Sequence, residues 1–113
     1  MIKIDYIEFS IRDMAEAKQF YGGLFGWQFT DYGETYAGFH YGDGKEWGGF
    51  EVTDEPVVSG SPLVVLYADD LESIYAAVVA AGATITQQIF SFPGGRRFHF
   101  QDASGNDLAI WSK

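Results

Sequence analysis

Apolar and polar residues alternate near the start of the chain: Ile7, Phe9 and Ile11 fall on one side of an extended segment, and Tyr6, Glu8 and Ser10 on the other. That period of two predicts a strand with one packed face. The period then changes. Met14, Ala17, Tyr21 and Leu24 recur at helical spacing with Phe20 beside them, and Asp13 stands at the N-cap with Glu16 three residues on. Carboxylates there satisfy free backbone N–H groups and complement the positive helix end. Gly22 and Gly23 weaken the last turn, and Gly26 supplies a stop before Trp27 opens another strand.

The same succession returns 57 positions later, counting from Ile7 to Val64. Val64, Leu66 and Ala68 take the places of Ile7, Phe9 and Ile11; Asp70 takes that of Asp13; Leu71, Ile74, Val78 and Ala81 echo the helical stripe, and Gly82 closes it. Strand, cap, stripe and glycine stop recurring in one register predict an internal duplication. Between the two copies, residues 27–32, 34–41 and 46–53 alternate as strands, with a hairpin turn at Gly42-Asp43-Gly44. Gly48-Gly49 marks a bulge or a close approach of another backbone or ligand. After the second helix, strands are expected at residues 83–90, 96–101 and 107–112, with turns at 91–95 and 102–106. In the latter turn Asp102 can bond the backbone and Gly105 can take positive φ. Each copy is therefore βαβββ: module 1 covers residues 1–53, module 2 covers 62–113, and 54–61 links them. The fold class is α+β, with the modules' strands forming a curled mixed sheet around a cleft and both helices on its convex side.

Length and composition narrow the function. At 113 residues the chain is a single domain whose modules share a core. Ten Phe, seven Tyr and three Trp leave apolar surface for a pocket or partner. The formal charge of −9 has the wrong sign for binding nucleic acid, and no Lys/Arg cluster relieves it. The one adjacent basic pair, Arg96-Arg97, reads as solvated charge at a strand start, with a guard at a pocket mouth as the sharper alternative. Without cysteine, disulfides, thiolate metal sites and cysteine nucleophiles are excluded. No apolar run matches a signal peptide or a membrane span, so a cytoplasmic protein with no membrane partner is expected.

The runs IEFSIRDMAEAKQFYGGLFGW, YADDLESIYAAVVAAGATI and FHFQDASGNDLAIW resemble the vicinal oxygen chelate superfamily of glyoxalases, bleomycin resistance proteins and extradiol dioxygenases. The resemblance extends over essentially the whole chain. It implies a homodimer and, in the usual members, a divalent metal held by one His or Glu from each of four strands and chelating two substrate oxygens. Carried over, those four positions are Tyr6, Glu51, Leu63 and Ala109, of which only Glu51 is an ordinary metal ligand. The expectation is therefore no metal cofactor, because zinc, nickel or iron needs three or four N/O donors.

The candidate ligand-binding face contains Tyr6, Ser10, Leu63, Val65, Tyr67, Ala109 and Trp111, with Glu8 and Glu51 as candidate catalytic carboxylates. Such a pocket suits a planar or hydrophobic small molecule with a cationic or hydrogen-bond-donating group. Two functions compete: metal-free binding of an apolar or aromatic compound, and a glyoxalase-like lyase or isomerase of lactoylglutathione lyase type, with a non-standard metal site or Glu8 as proton-transfer base. His40 and His99 lie on corresponding strands, away from the four ligand positions, and are expected to have hydrogen-bonded structural roles.

Overall fold

The computed structural model describes residues 1, 4–59 and 63–113, so Pro62, the expected start of module 2, lies outside the described residues. The chain divides into two units, Met1–Val57 and Val58–Lys113, and the division falls inside the 54–61 stretch.

Unit 1 runs β1 (Ile7–Ile11), α1 (Met14–Phe25), β2 (Gln28–Asp31), β3 (Tyr36–His40) and β4 (Glu46–Val52). Its sheet has the order β1-β4-β3-β2, with β1 parallel to β4 and the other pairs antiparallel. Unit 2 repeats this with β5 (Val64–Tyr67), α2 (Leu71–Ala80), β6 (Thr84–Phe92), β7 (Gly95–Gln101) and β8 (Asp107–Ser112), ordered β5-β8-β7-β6. The protein is thus an α+β chain of two mixed four-stranded sheets, each with one helix. Among the described residues no helix is long and apolar enough to cross a membrane.

The caps form where the sequence places them. Asp13 accepts a hydrogen bond from the Glu16 N–H at 2.9 Å, and Asp70 one from the Ser73 N–H at 3.1 Å. The two helices end differently. Gly26 takes the left-handed conformation directly after α1 (φ 75°). After α2 the cap Ala81 stays right-handed and Gly82 supplies the left-handed residue, with N–H groups of Gly82 and Ala83 bonded back to the Val79 and Val78 carbonyls. Gly23 needs no such freedom: it lies in the last turn of α1, and a methyl group there would meet no atom within 4 Å beyond the helix's own backbone. Gly23→Ala is expected to stabilise the protein by about 0.5–1 kcal/mol through the reduced freedom of the unfolded chain, read by urea denaturation.

The strand faces that pack on the helices form the cores. In unit 1, Phe9, Ile11, Ala37, Phe39 and Phe50 are buried against Ala17 and Tyr21 of α1 and Trp27 beyond it. Tyr21 stacks on Trp27 with centroids 4.9 Å apart, and Trp27 on Phe39 at 4.4 Å. In unit 2, Leu71 and Val78 of α2 are buried with Phe98, Phe100, Leu108 and Ile110. The buried aromatic rings are concentrated in unit 1, with Phe98 and Phe100 in unit 2.

The first glycine of the β4 pair is explained by a neighbouring backbone. Gly48 lies opposite Ile7 in the parallel ladder, and a Cβ there would collide with the Ile7 carbonyl oxygen and the Phe39 ring. One residue earlier the β3–β4 register slips, so that Phe39 faces Gly48 while His40 faces Glu46. In unit 2, β6 extends two residues past its expected end. Ser91 and Phe92 pair with Arg96 and Gly95, leaving Pro93-Gly94 as the whole loop, with Gly94 at φ 124°. The 102–106 turn is built as anticipated: Asp102 accepts from the N–H groups of Ser104 (3.0 Å) and Asn106 (2.8 Å), and Gly105 has φ 100°.

Candidate functional site

With one face of each sheet given to its helix, strand alternation assigns the opposite face. In unit 1 it carries Tyr6, just ahead of β1, with Glu8 and Ser10. The ladder adds Gly49 and Glu51 of β4 and Tyr36, Gly38 and His40 of β3. Tyr6 and Tyr36 share a hydroxyl–hydroxyl bond of 2.7 Å, and the Tyr6 hydroxyl lies 3.4 Å from Glu46 Oε2. Tyr32 donates to Glu46 Oε1 at 2.8 Å, and Tyr36 also bonds to Glu8. Gly38 and Gly49 make the room, since a Cβ at Gly38 would strike the Glu46 carboxylate and one at Gly49 the hydroxyls of Tyr36 and Tyr6.

These hydroxyls hold their protons. Desolvation is the main cause that raises the Tyr6 and Tyr36 pKa values, and the bond to Glu46 is the main cause for Tyr32. The face is therefore a set of neutral phenols donating to carboxylates. Glu8 is joined to it through Tyr36, whereas Glu51 lies exposed, paired in the ladder with Ser10 and Tyr36.

In unit 2 the corresponding face carries Val65 and Tyr67 of β5, Ala109 and Trp111 of β8, and Arg97 and His99 of β7. Leu63 precedes β5, is half-buried and belongs to no strand. Ala109 is fully buried between Val65 and His99, while Val65 and Tyr67 are exposed. Tyr67 meets Trp111 edge-on with centroids 5.0 Å apart, and Phe92 meets Trp111 at 6.1 Å. An open pocket of about 210 Å³ lies against Val65, Phe92, Arg97 and Trp111.

The structure separates the two arginines that the sequence sets side by side. Arg96 shares a face with Ser112 and reaches Glu72 of α2 in an ion pair. Arg97 shares the opposite face with Trp111, its guanidinium carbon 5.3 Å from the Phe90 ring centre and 5.4 Å from that of Phe92. Both are cation–π distances. Arg97 lies where the sharper alternative for the Arg96-Arg97 pair puts it, at a pocket, while Arg96 does not; Phe92 is the pocket residue that the sequence reading passes over. The signal separating the two arginines was present, since burial of Phe98 and Phe100 in one strand sends Arg97 and His99 to the other face.

His99 does not make the expected hydrogen bond at Nε2, which is buried without a partner among the described residues. Its ring lies against Phe90 with centroids 5.8 Å apart. Burial, and then the charge of Arg97, lower its pKa below the ordinary 6.5, with Asp107 acting in the opposite sense. The folded state resists a proton that the unfolded chain accepts, so His99 contributes stability above its ordinary pKa that is lost as pH falls below it. In melts between pH 7.5 and 5, His99→Gln is expected to flatten the acid-side fall of the melting temperature relative to the unmodified protein.

The four positions implied as metal ligands do not fit a metal. Tyr6 is a phenol held in its protonated form, Leu63 and Ala109 have no donor atom, and only Glu51 offers a carboxylate. Among the described residues no group of three or more His, Cys, Asp or Glu side chains is placed to hold an ion.

A family model described as Glyoxalase/Bleomycin resistance protein/Dioxygenase superfamily matches residues 3–110, and the chain belongs to that superfamily. Its fold is shared with a glyoxalase-related enzyme from Fulvimarina pelagi, at a TM-score of 0.81 and 18% identity over 100% of this chain and 89% of that one. The fosfomycin resistance protein FosX from Mesorhizobium loti matches with TM-score 0.81 and 17% identity, over 100% and 94% of the chains. FosX from Listeria monocytogenes matches with 0.82 and 12%, again over 100% and 94%. At these identities the likeness is one of fold. No curated protein matches the chain by sequence.

Proposed function

We propose that this protein is a metal-independent member of the superfamily that binds a small apolar or aromatic compound. The observation that carries the reading is the open pocket of about 210 Å³ against Val65, Phe92 and Trp111, with Arg97 at its side. Concave, mostly apolar surfaces with few polar groups are the usual form of small-molecule sites. The donor-poor set at Tyr6, Glu51, Leu63 and Ala109 supports binding without a metal. On this reading the protein is a cytoplasmic homodimer, and sedimentation velocity reads the oligomeric state.

Two measurements test the proposal. Elemental analysis, with thermal melts in Ni, Zn, Mn, Fe(II) or chelator, should show no stoichiometric metal and no shift. Titration with 2-phenylethanol, followed through the indole N–H resonance of Trp111, should move that resonance saturably. About one metal per chain with a chelator-sensitive melt overturns the metal-independent part, and an unmoved Trp111 overturns the site.

A second reading, a lyase or isomerase, draws on the bond between Glu8 and Tyr36, a carboxylate and a phenol on one face that can pass a proton between them. It predicts that Glu8→Gln abolishes turnover of a responsive substrate while leaving the melt unchanged, and unchanged turnover in that variant sinks it.

A further inference from the structure

We infer that the unit 2 pocket selects a small carboxylate with an aromatic body, and that Arg97 is the residue that sets this preference. This rests on the binding reading above and adds the charge of the ligand, which the sequence suggested would be cationic or hydrogen-bond-donating.

Three observations converge. Arg97 lines the pocket, yet among the described residues no carboxylate pairs with it, whereas Arg96, Lys18 and Lys45 pair with Glu72, Asp31 and Asp5. The contacts of Arg97 are instead the faces of Phe90 and Phe92, which fix the guanidinium but accept little hydrogen bonding, and its Nε is buried with no acceptor. A guanidinium presents five N–H donors in a plane that matches the two oxygens of a carboxylate.

The surroundings limit the charge of the ligand. The nearest titratable neighbour on the same face of β7 is His99, whose pKa burial and then Arg97 lower. Asp107 acts on His99, and Asp69 bonds to Tyr67, whose ring abuts Trp111. The guanidinium brings a single positive charge to the pocket, which balances a monoanion. The remaining walls, Val65, Phe92 and Trp111, are apolar and suit a ring.

The test compares three probes with one body: phenylacetate, 2-phenylethanol and 2-phenylethylamine, titrated into the full chain at low and moderate salt and read at the Trp111 indole N–H. Phenylacetate is expected to bind at least tenfold more tightly than the alcohol, with the margin shrinking as salt rises, and the amine most weakly. Arg97→Gln should erase the margin between acid and alcohol, whatever it does to the affinity for the alcohol itself, and Arg97→Lys should recover part of it. Equal binding of acid and alcohol, or preference for the amine, overturns the inference while leaving the binding reading intact. If no probe moves Trp111, both fail together. The comparison in the unmodified protein decides the charge preference even if Arg97→Gln does not fold.

Discussion

Replacing Gly48 with alanine is expected to lower stability by about 3 kcal/mol, at the upper end of what overpacking costs. The added carbon would meet the Ile7 carbonyl oxygen across the parallel β1–β4 ladder and the Phe39 ring from below. A carbonyl fixed in a ladder cannot turn aside as a flexible side chain can. Relief requires β1 to separate from β4, and β1 carries Phe9 and Ile11 into the core. For a chain of this size the melting temperature should fall by roughly 10 °C, read by circular dichroism. Gly49→Ala is the informative neighbour, since the atoms nearest its carbon would belong to the Tyr36 and Tyr6 side chains. A smaller loss there than at Gly48 supports the backbone collision as the cause, and equal losses refute it.

Phe50→Ala should cost about 4 kcal/mol, within the range for deleting a buried phenylalanine. Phe50 is fully buried, and its ring centre lies 5.1 Å from Tyr21, 5.5 Å from Phe39, 5.6 Å from Phe29 and 5.9 Å from Phe9. Its neighbours are themselves large stacked rings, so they cannot close over the gap without losing one another. Phe50→Leu, which keeps most of the volume, is expected to lose less than half as much in the same urea denaturation experiment. Equal losses for the two variants point to a loosely packed cluster in which ring geometry is immaterial.

Much of the fold was legible because its signals are local. Asp13 and Asp70 announce caps through hydrogen bonds that span three residues, and the Asp102 turn closes within five. The extension of β6 to Phe92 was not legible, because Pro93 and two glycines look alike whether the turn is two residues or five. What decides is the pairing of Ser91 with Arg96. The faces of β1 and β5 could be read from alternation, which placed Tyr6, Glu8, Ser10, Val65 and Tyr67 together with their ladder partners. The phenol network around Glu46 could not, since Tyr32, Tyr36 and Glu46 converge through a register slip between Phe39 and His40 that breaks the alternation. The division of labour between Arg96 and Arg97 was hidden for another reason. The sequence treats the pair as one unit, solvated charge or pocket guard, and only the pleat reveals two residues with separate tasks.

The repeated glycine-stopped helix and four-stranded sheet also bear on how such a chain can change. In both units the side chains that hold the helix and those that look away from it sit on alternating positions of the same strands. A substitution at Arg97, Val65 or Trp111 therefore leaves Phe98, Leu66 and Ile110 where they are. The two copies have already diverged in this way, one presenting phenols and carboxylates and the other rings and a guanidinium over similar foundations. The scaffold is thus a surface that selection can rewrite at odd or even positions alone, and a library confined to those positions should yield new binding preferences at little cost in foldedness.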